Sequence, residues 1–206
     1  MQRTHLISAL AILALAPVAW AVPDGGGAMG PRNAPNTAQD PQTTARNEYN
    51  LGYEGVQSVA KLELEAALMP AFASQYRDTV RAGFVRAREN FRKAVAADPD
   101  MKEAWNMLGF TSRKLGEYEE SLKAYDKALA LAPSYPEAIE YRGELFLLTG
   151  RLAQTKEAYA TLLTLDPSYA GVLKTSMQDF LKKGQTFPAS VTPQESEDFA
   201  KWVNSL

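Results

Sequence analysis

Residues 102–135 carry the pattern that decides the fold, and they read KEAWNMLGFTSRKLGEYEESLKAYDKALALAPSY. Residues 136–169 follow with PEAIEYRGELFLLTGRLAQTKEAYATLLTLDPSY, which repeats the same residue types at an offset of 34. The matched pairs include Glu103 and Glu137, Gly109 and Gly143, Gly116 and Gly150, Tyr125 and Tyr159, and Pro133 and Pro167. Self-similarity at one fixed period predicts a chain built from stacked copies of a single supersecondary unit.

Each unit has the signals of two helices joined by a tight turn. Apolar residues recur at three- and four-residue spacing, as in Leu122, Tyr125 and Leu129, which is typical of one helix face. A glycine, Gly116 or Gly150, stands where the first helix must end and the chain reverse. Capping boxes, in which an acceptor stands three residues before a glutamate, are predicted at Asp100–Glu103 and Ser134–Glu137.

The first unit, 102–135, resembles the tetratricopeptide repeat at that family's period. The resemblance rests on Trp105, Leu108, Gly109, Gly116, Tyr118, Tyr125, Ala128 and Pro133. The second unit, 136–169, keeps Gly143, Phe146, Gly150, Tyr159 and Pro167, but it departs at Arg142 and Leu162. A partial match covers one helix, Phe84 to Pro99. The resemblance implies an all-α fold, a short right-handed α-solenoid of helix-turn-helix repeats with a C-terminal capping helix.

The segments on either side of the two repeats complete the predicted solenoid. Residues 44–101 are interpreted as a degenerate N-terminal hairpin, with helices near 44–69 and 70–97, and residues 170–184 as a capping helix. Residues 185–206 are predicted to form a linker and a short amphipathic helix, which begins at a capping box of Thr192 and Glu195 and has the apolar residues Phe199, Trp202, Val203 and Leu206 on one face. This last helix could pack on the flank of the capping helix or fold back into the groove.

The N-terminus has the layout of a targeting segment. Residues 1–21 predict a secretory signal peptide, because Arg3 precedes an uncharged run from Leu6 onward and Ala19-Trp20-Ala21 fits cleavage after Ala21. An uncleaved membrane anchor is the alternative, since the uncharged run is borderline for spanning a bilayer. Residues 22–43, dominated by Gly, Pro and small polar residues, predict a flexible linker. The leader predicts a periplasmic or secreted protein.

Composition excludes several classes of chemistry. The chain has no Cys, and its one His is His5, within the predicted leader. Without these residues there is no thiol or Ser-His-Asp catalysis and no ordinary zinc or copper site. The formal charge is −2, so the chain lacks the excess of basic residues that is typical of a nucleic-acid binder. A locally basic stretch from Arg77 to Lys93 is interpreted mainly as a solvated helix face, with contact to an anionic surface as the alternative.

The family resemblance implies which side chains line a concave, partner-binding groove. From the first unit these are Glu103, Asn106, Phe110, Arg113 and Lys114, and from the second they are Glu137, Glu140, Glu144, Leu147 and Leu148. Some members of the family clamp a partner's C-terminal carboxylate with basic residues, and the glutamates at 140 and 144 argue against such a clamp here. Acidic and apolar residues side by side predict a protein or peptide ligand with basic and apolar side chains.

Other interpretations of the same residues remain open from sequence alone. The glutamates of the second unit, Glu137, Glu140 and Glu144, could form a solvated face, a partner-binding face or a catalytic pair. A catalytic pair is the least favoured, because carboxylates on one helix face do not lie on opposite sides of a substrate bond. The repeat aromatics could pack in the core or stack on a ligand, and their repeat positions favour packing. Binding to a partner protein is the predicted function, with no catalytic residues, metal, cofactor, nucleic acid or, after leader cleavage, membrane involved. The alternative function is an accessory or regulatory subunit of an envelope enzyme or assembly complex.

Overall fold

A computed structural model describes residues 40–69, 71 and 73–206. This part of the chain forms eight α-helices and no strand, which confirms the all-α class. The predicted leader, and residues 22–39 of the predicted linker, lie outside the described residues. The helices are α1 Pro41–Leu68, α2 Ala73–Ala97, α3 Lys102–Leu115, α4 Tyr118–Leu131, α5 Pro136–Leu148, α6 Leu152–Leu165, α7 Pro167–Lys182 and α8 Pro193–Ser205.

The helices stack as successive hairpins in two layers. Helix α1 packs on α2, α3 on α4 and α5 on α6, and each hairpin packs on the next through α2 with α3, α4 with α5, and α6 with α7. The odd-numbered helices also contact one another in sequence, α1 with α3, α3 with α5, and α5 with α7. This contact places the odd-numbered helices in the inner, concave layer of an α-solenoid.

Local chemistry explains where the repeat helices begin and end. Gly116 ends α3 at φ 83°, and Gly150 follows α5 at φ 73°, a left-handed conformation that side chains other than hydrogen disfavour. Pro136 and Pro167 occupy the first helical position of α5 and α7, where a missing N–H costs nothing. The turns between helices therefore fall where the glycines predicted them.

The capping boxes predicted for the two repeat units are wrong. Helix α3 begins after Met101 and α5 after Tyr135, and neither residue provides a side-chain cap. Before α3, the backbone amide of Asp100 donates to Asp98 in a turn, so the chain enters the helix one residue later than predicted. The capping box of Thr192 and Glu195 is present at α8 and confirms that prediction.

The first hairpin is longer than the repeat hairpins and begins earlier than predicted. Asp40 accepts a hydrogen bond from the Thr43 amide at 3.2 Å, and Pro41 starts the helix. Residues 41–43 are therefore the first turn of α1 and do not belong to a linker. Helix α1 has 28 residues and α2 has 25, whereas each later helix has 16 or fewer.

The C-terminal helix packs on the flank of the solenoid. Phe199 and Val203 of α8 are buried in the same apolar cluster as Leu162 of α6 and Leu173 of α7. The Trp202 ring meets α6 edge-on, with its centroid 5.7 Å from that of the Tyr159 ring. Of the two positions considered from sequence, α8 therefore takes the flank, outside the inner layer. The helix before it, α7, begins three residues ahead of the predicted residue 170, because Asp166 caps it and Pro167 starts it.

The repeat aromatics are core residues. Tyr125, Phe146 and Tyr159 are buried, and Trp105 and Tyr118 pack against the core from partly buried positions. The indole N–H of Trp105 donates to the Pro99 carbonyl at 2.8 Å. Packing, rather than ligand stacking, is the role of these rings.

Candidate functional site

The residues predicted to line the groove all lie on the inner helices α3 and α5, but the groove is largely filled. Four of the ten, Glu103, Lys114, Glu137 and Leu148, are partly exposed. The other six are buried, namely Asn106, Phe110, Arg113, Glu140, Glu144 and Leu147. The interpretation of Glu140 and Glu144 as solvated charges is therefore wrong, since the two residues are 1% and 6% exposed.

Phe110 shows how the groove is closed. Its ring centroid lies 6.1 Å from that of Phe84 on α2 and 5.2 Å from that of Tyr141 on α5. The Arg113 guanidinium lies 5.6 Å from the Phe110 centroid and 5.7 Å from that of Tyr141. Phe110 is thus held between two hairpins and a cation, and it contributes to the core instead of presenting a surface to a ligand.

Buried ion pairs join neighbouring helices of the inner layer. Arg113 Nη2 of α3 lies 2.6 Å from Glu144 Oε2 of α5, and the Ser176 hydroxyl of α7 donates to Glu144 Oε1 at 2.5 Å. Lys114 Nζ of α3 lies 2.9 Å from Glu63 Oε1 of α1. Both basic side chains of the predicted groove are therefore engaged inside the protein, which supports the expectation that no carboxylate clamp operates here.

The middle of the concave layer holds polar atoms with unused hydrogen-bonding capacity. Within the described residues, neither Oδ1 nor Nδ2 of Asn106 has a hydrogen-bond partner, and neither does Oε1 of Glu140. Asn106 is 0% exposed and Glu140 is 1% exposed. Burial, and then the adjacent Glu144 carboxylate, raise the pKa of Glu140 well above its usual value, although Arg113 opposes the shift.

A second group of residues surrounds Glu137 at the ends of the inner helices. The Tyr135 hydroxyl donates to Glu137 Oε2 at 2.8 Å. Burial raises the pKa of Glu137, the tyrosine hydroxyls oppose that shift, and the Glu103 carboxylate adds to it. Burial, together with the Glu137 carboxylate, raises the pKa of Tyr169 to about 12.

Helix α1 contributes to the same group although it lies outside the clear repeats. Burial, followed by the fields of Glu137, Tyr53 and Glu103, raises the pKa of Tyr49. The Tyr49 hydroxyl therefore lies close enough to sense carboxylates of α3 and α5. We call this group the tyrosine–glutamate cluster, and its members are Tyr49 of α1, Glu103 of α3, Tyr135 and Glu137 at the start of α5, and Tyr169 of α7.

The tyrosines of this cluster were missed as site residues by the sequence reasoning. Tyr135 and Tyr169 end the recurring Pro-Ser-Tyr runs, so the repeat itself placed them at equivalent positions. Their position could have indicated a place on the inner layer, because the first run directly precedes α5 and the second begins α7. Tyr49 had no such signal, because α1 departs from the repeat pattern.

A lysine of the chain already lies at the tyrosine–glutamate cluster. Lys102 Nζ is 5.3 Å from the centroid of the Tyr135 ring and 3.7 Å from Glu103 Oε1. Its side chain is 41% exposed and that of Glu103 is 43% exposed. Ammonium, aromatic face and carboxylate are thus combined at a solvent-accessible edge of the inner layer.

The basic stretch on α2 is partly neutralised. Arg92 Nη2 lies 2.7 Å and Arg88 Nη1 lies 3.7 Å from the carboxylate of Glu120 on α4, and Lys93 Nζ lies 3.7 Å from Glu48 Oε2 on α1. These contacts hold hairpins together, while Arg77, Arg81 and Arg86 remain exposed.

Two further properties concern the described part of the chain as a whole. None of its helices combines the length and the apolar character that a membrane crossing requires. In residues 40–69, 71 and 73–206, no three His, Cys, Asp or Glu side chains are grouped as a metal site would need.

Stacked helical hairpins with one inner layer define an α-solenoid, a class of protein that presents a curved surface to other molecules. Residues 102–135 match the family model of the tetratricopeptide repeat, so this part of the chain is similar to that family. Repeats of this family are generally protein–protein interaction modules, and the family is one of non-catalytic scaffolds. A search of the curated proteins finds no match to the chain.

Proposed function

We propose that this protein is an adaptor without catalytic activity of its own, which binds an extended segment of a partner protein at the edge of its concave layer. The tyrosine–glutamate cluster is the observation that carries the proposal, because its side chains come from four successive inner helices and remain partly exposed. The deeper residues of the predicted groove, such as Asn106 and Phe110, support the surface from below.

Charge at this edge favours a partner segment with basic side chains. Glu103 and Glu137 stand in the first turns of α3 and α5. Among the described residues, no basic side chain forms an ion pair with Glu137, and Glu103 pairs only with the partly exposed Lys102. Leu148, at the other end of α5, is partly exposed and offers an apolar contact. A basic and apolar segment would match both features.

The compartment of this adaptor is proposed from the leader alone. Residues 1–21 have the charge, the apolar run and the small-residue site of a secretory signal peptide. We therefore propose that the protein acts in the periplasm or outside the cell, and that its partner is a protein of the cell envelope.

The test is affinity capture from a cell-envelope extract, with the chain from Val22 onward as bait. A second bait carries Glu103→Lys, which reverses a half-exposed charge at the cluster. The matched control carries Glu119→Lys, which reverses an exposed charge in the first turn of α4, on the outer layer. Substitutions at Glu140 or Glu144 would not serve, because burying an added lysine there would unfold the stack.

We expect one protein to be held by the wild-type and Glu119→Lys baits and to be lost, or weakened several-fold, with Glu103→Lys, at unchanged helical content by circular dichroism. Equal retention by all three baits would place binding elsewhere on the molecule. Capture of nothing by the wild-type bait would count against the adaptor function.

A further inference from the structure

We propose that the tyrosine–glutamate cluster is a binding site for a primary ammonium group, and that it reads a lysine side chain of the partner. This inference rests on the proposed adaptor function and names the residue type that the inner layer would recognise. The site is inferred from the composition of the cluster, the unpartnered polar atoms beneath it, the position of Lys102, and the donor geometry of an ammonium group.

The composition suits a cation. Two carboxylates, Glu103 and Glu137, lie on neighbouring helices close enough for the field of one to act on the other. The Tyr135 hydroxyl donates to Glu137 Oε2 at 2.8 Å, and the field of Glu137 reaches Tyr49 on α1 and Tyr169 on α7. Aromatic faces attract cations through the negative potential above the ring, and carboxylates accept their hydrogen bonds.

The polar atoms beneath the cluster indicate that the inner layer is built to contact something more. Asn106 follows Glu103 by three residues and Glu140 follows Glu137 by three, so each lies on the same helix face one turn further along. Glu140 is 1% exposed, and its field acts on Tyr169 of the cluster. Asn106 Oδ1 and Glu140 Oε1 are acceptors with no partner among the described residues. Buried acceptors of this kind normally have a donor.

Lys102 shows that an ammonium group fits the edge of this cluster. It lies over the Tyr135 ring and beside Glu103, as a partner's lysine would. Because its side chain is 41% exposed, it can rotate into solvent without losing buried contacts. The chain's own lysine and the partner's lysine would therefore compete for the same carboxylate.

Donor geometry favours lysine over arginine. An ammonium carries three donors on one small atom, and it can reach two separate carboxylates and an aromatic face together. A guanidinium is planar and recognises a single carboxylate best, by two parallel hydrogen bonds. The Glu137 carboxylate already accepts the Tyr135 hydroxyl at Oε2, so it does not offer both oxygens to a guanidinium.

The test is an NMR titration of the ¹⁵N-labelled chain from Val22 onward with blocked lysine, Nα-acetyl-lysine amide. Blocked norleucine has nearly the same length without the charge, and blocked arginine tests the cation's shape. Variants Glu103→Gln and Lys102→Gln change the cluster, while Glu119→Gln and Lys123→Gln make the same charge changes on exposed residues of α4. The backbone amide signals of Tyr135 and Tyr49 report whether the ligand reaches the cluster.

Blocked lysine should bind more tightly than blocked norleucine and blocked arginine and should shift the signals of Tyr135 and Tyr49. We expect Glu103→Gln to raise the Kd about threefold and Lys102→Gln to lower it about threefold, since one removes an acceptor and the other a competitor. The two α4 variants should leave the Kd unchanged.

The inference is overturned if blocked norleucine or blocked arginine binds as tightly as blocked lysine, or if either cluster variant behaves like its α4 control. Circular dichroism measures helical content and identifies a variant that has not folded. If Glu103→Gln does not fold, Glu137→Gln replaces it, because it removes the other carboxylate of the cluster. These outcomes are distinct from failure of the adaptor function. A chain that captures a partner through Glu103 but does not prefer lysine keeps its function and loses only this site.

Discussion

The buried contact between Arg113 and Glu144 provides the sharpest test of how the inner layer is held together. The two side chains are 5% and 8% exposed, and Nη2 lies 2.6 Å from Oε2. Arg113 also senses Glu140, so one guanidinium balances two buried carboxylates. Arg113→Met keeps much of the side-chain length and removes the charge, which leaves both carboxylates without an opposite charge from α3.

The expected cost is large because the carboxylates cannot reach water. Breaking a buried ion pair by removing one partner typically costs about 3–5 kcal/mol. That is a large part of the about 5–15 kcal/mol by which a domain of this kind is stable. Urea unfolding at pH 7, followed by circular dichroism, measures the loss. The matched control is Arg142→Met, since Arg142 lies 2.7 Å from Asp126 in an exposed ion pair and should cost less than about 1 kcal/mol.

The loss should also depend on pH with a definite sign. Burial raises the pKa of Glu140 above its unfolded value of about 4.3. A carboxyl group with a raised folded pKa contributes stability at pH values below that unfolded value and loses it as the pH rises through the folded pKa. Removal of Arg113 strengthens this effect, so Arg113→Met should be less destabilised at pH 5 than at pH 7.

Two results would refute this reasoning. One is a loss below about 1 kcal/mol at pH 7, which is what an exposed pair gives. The other is a loss that does not change between pH 5 and pH 7. A double variant, Arg113→Met with Glu144→Gln, completes the test, because it should cost less than the sum of the two single changes if the pair is coupled.

Three further outcomes are expected. Glu140→Gln should match wild-type stability at pH 5 and exceed it at pH 8 in urea unfolding, because burial makes ionisation of this carboxyl oppose folding; lower stability at pH 8 would contradict this. Gly109→Ala should lower the free energy of unfolding by about 1–3 kcal/mol, since its Cβ would lie 2.6 Å from the Tyr125 ring. Gly171→Ala, in open space on α7, should raise the free energy of unfolding by about 0.5–1 kcal/mol in the same assay. Phe199→Ala should cost about 3–5 kcal/mol in thermal or urea unfolding without tightening partner binding, because α8 is part of the core; a gain in affinity would show that α8 competes for the groove.

The helical architecture was predictable because its signals are local. The glycines at 116 and 150 and the prolines at 133 and 167 mark the turns in sequence, and backbone geometry at those points follows from the residue types. The C-terminal capping box at Thr192 was predictable for the same reason. The capping box predicted at Asp100 failed because the Asp100 amide donates to Asp98 in the preceding turn and the helix begins one residue later. Helix α5 also begins one residue later than predicted, after Tyr135.

The candidate site was predictable only in part. The family resemblance implied that Glu103 and Glu137 lie on the inner layer, and both belong to the proposed site. It did not show that Glu140, one turn further along α5, is buried. Nor could it place Tyr49 in the field of Glu137, because that tyrosine lies on a helix without the repeat signature.

The sequence by itself determined the repeat unit and its helical hairpins, because periodicity and turn residues act over a few neighbours, and the family resemblance implied which side chains turn inward. Only the tertiary structure decided how closely the inner helices approach, and therefore which inward side chains become core and which remain a surface. Arg113, Glu144 and Ser176 come from three helices, and their contact depends on how three hairpins pack. The same packing leaves the tyrosine–glutamate cluster at the edge, where water and a partner can reach it.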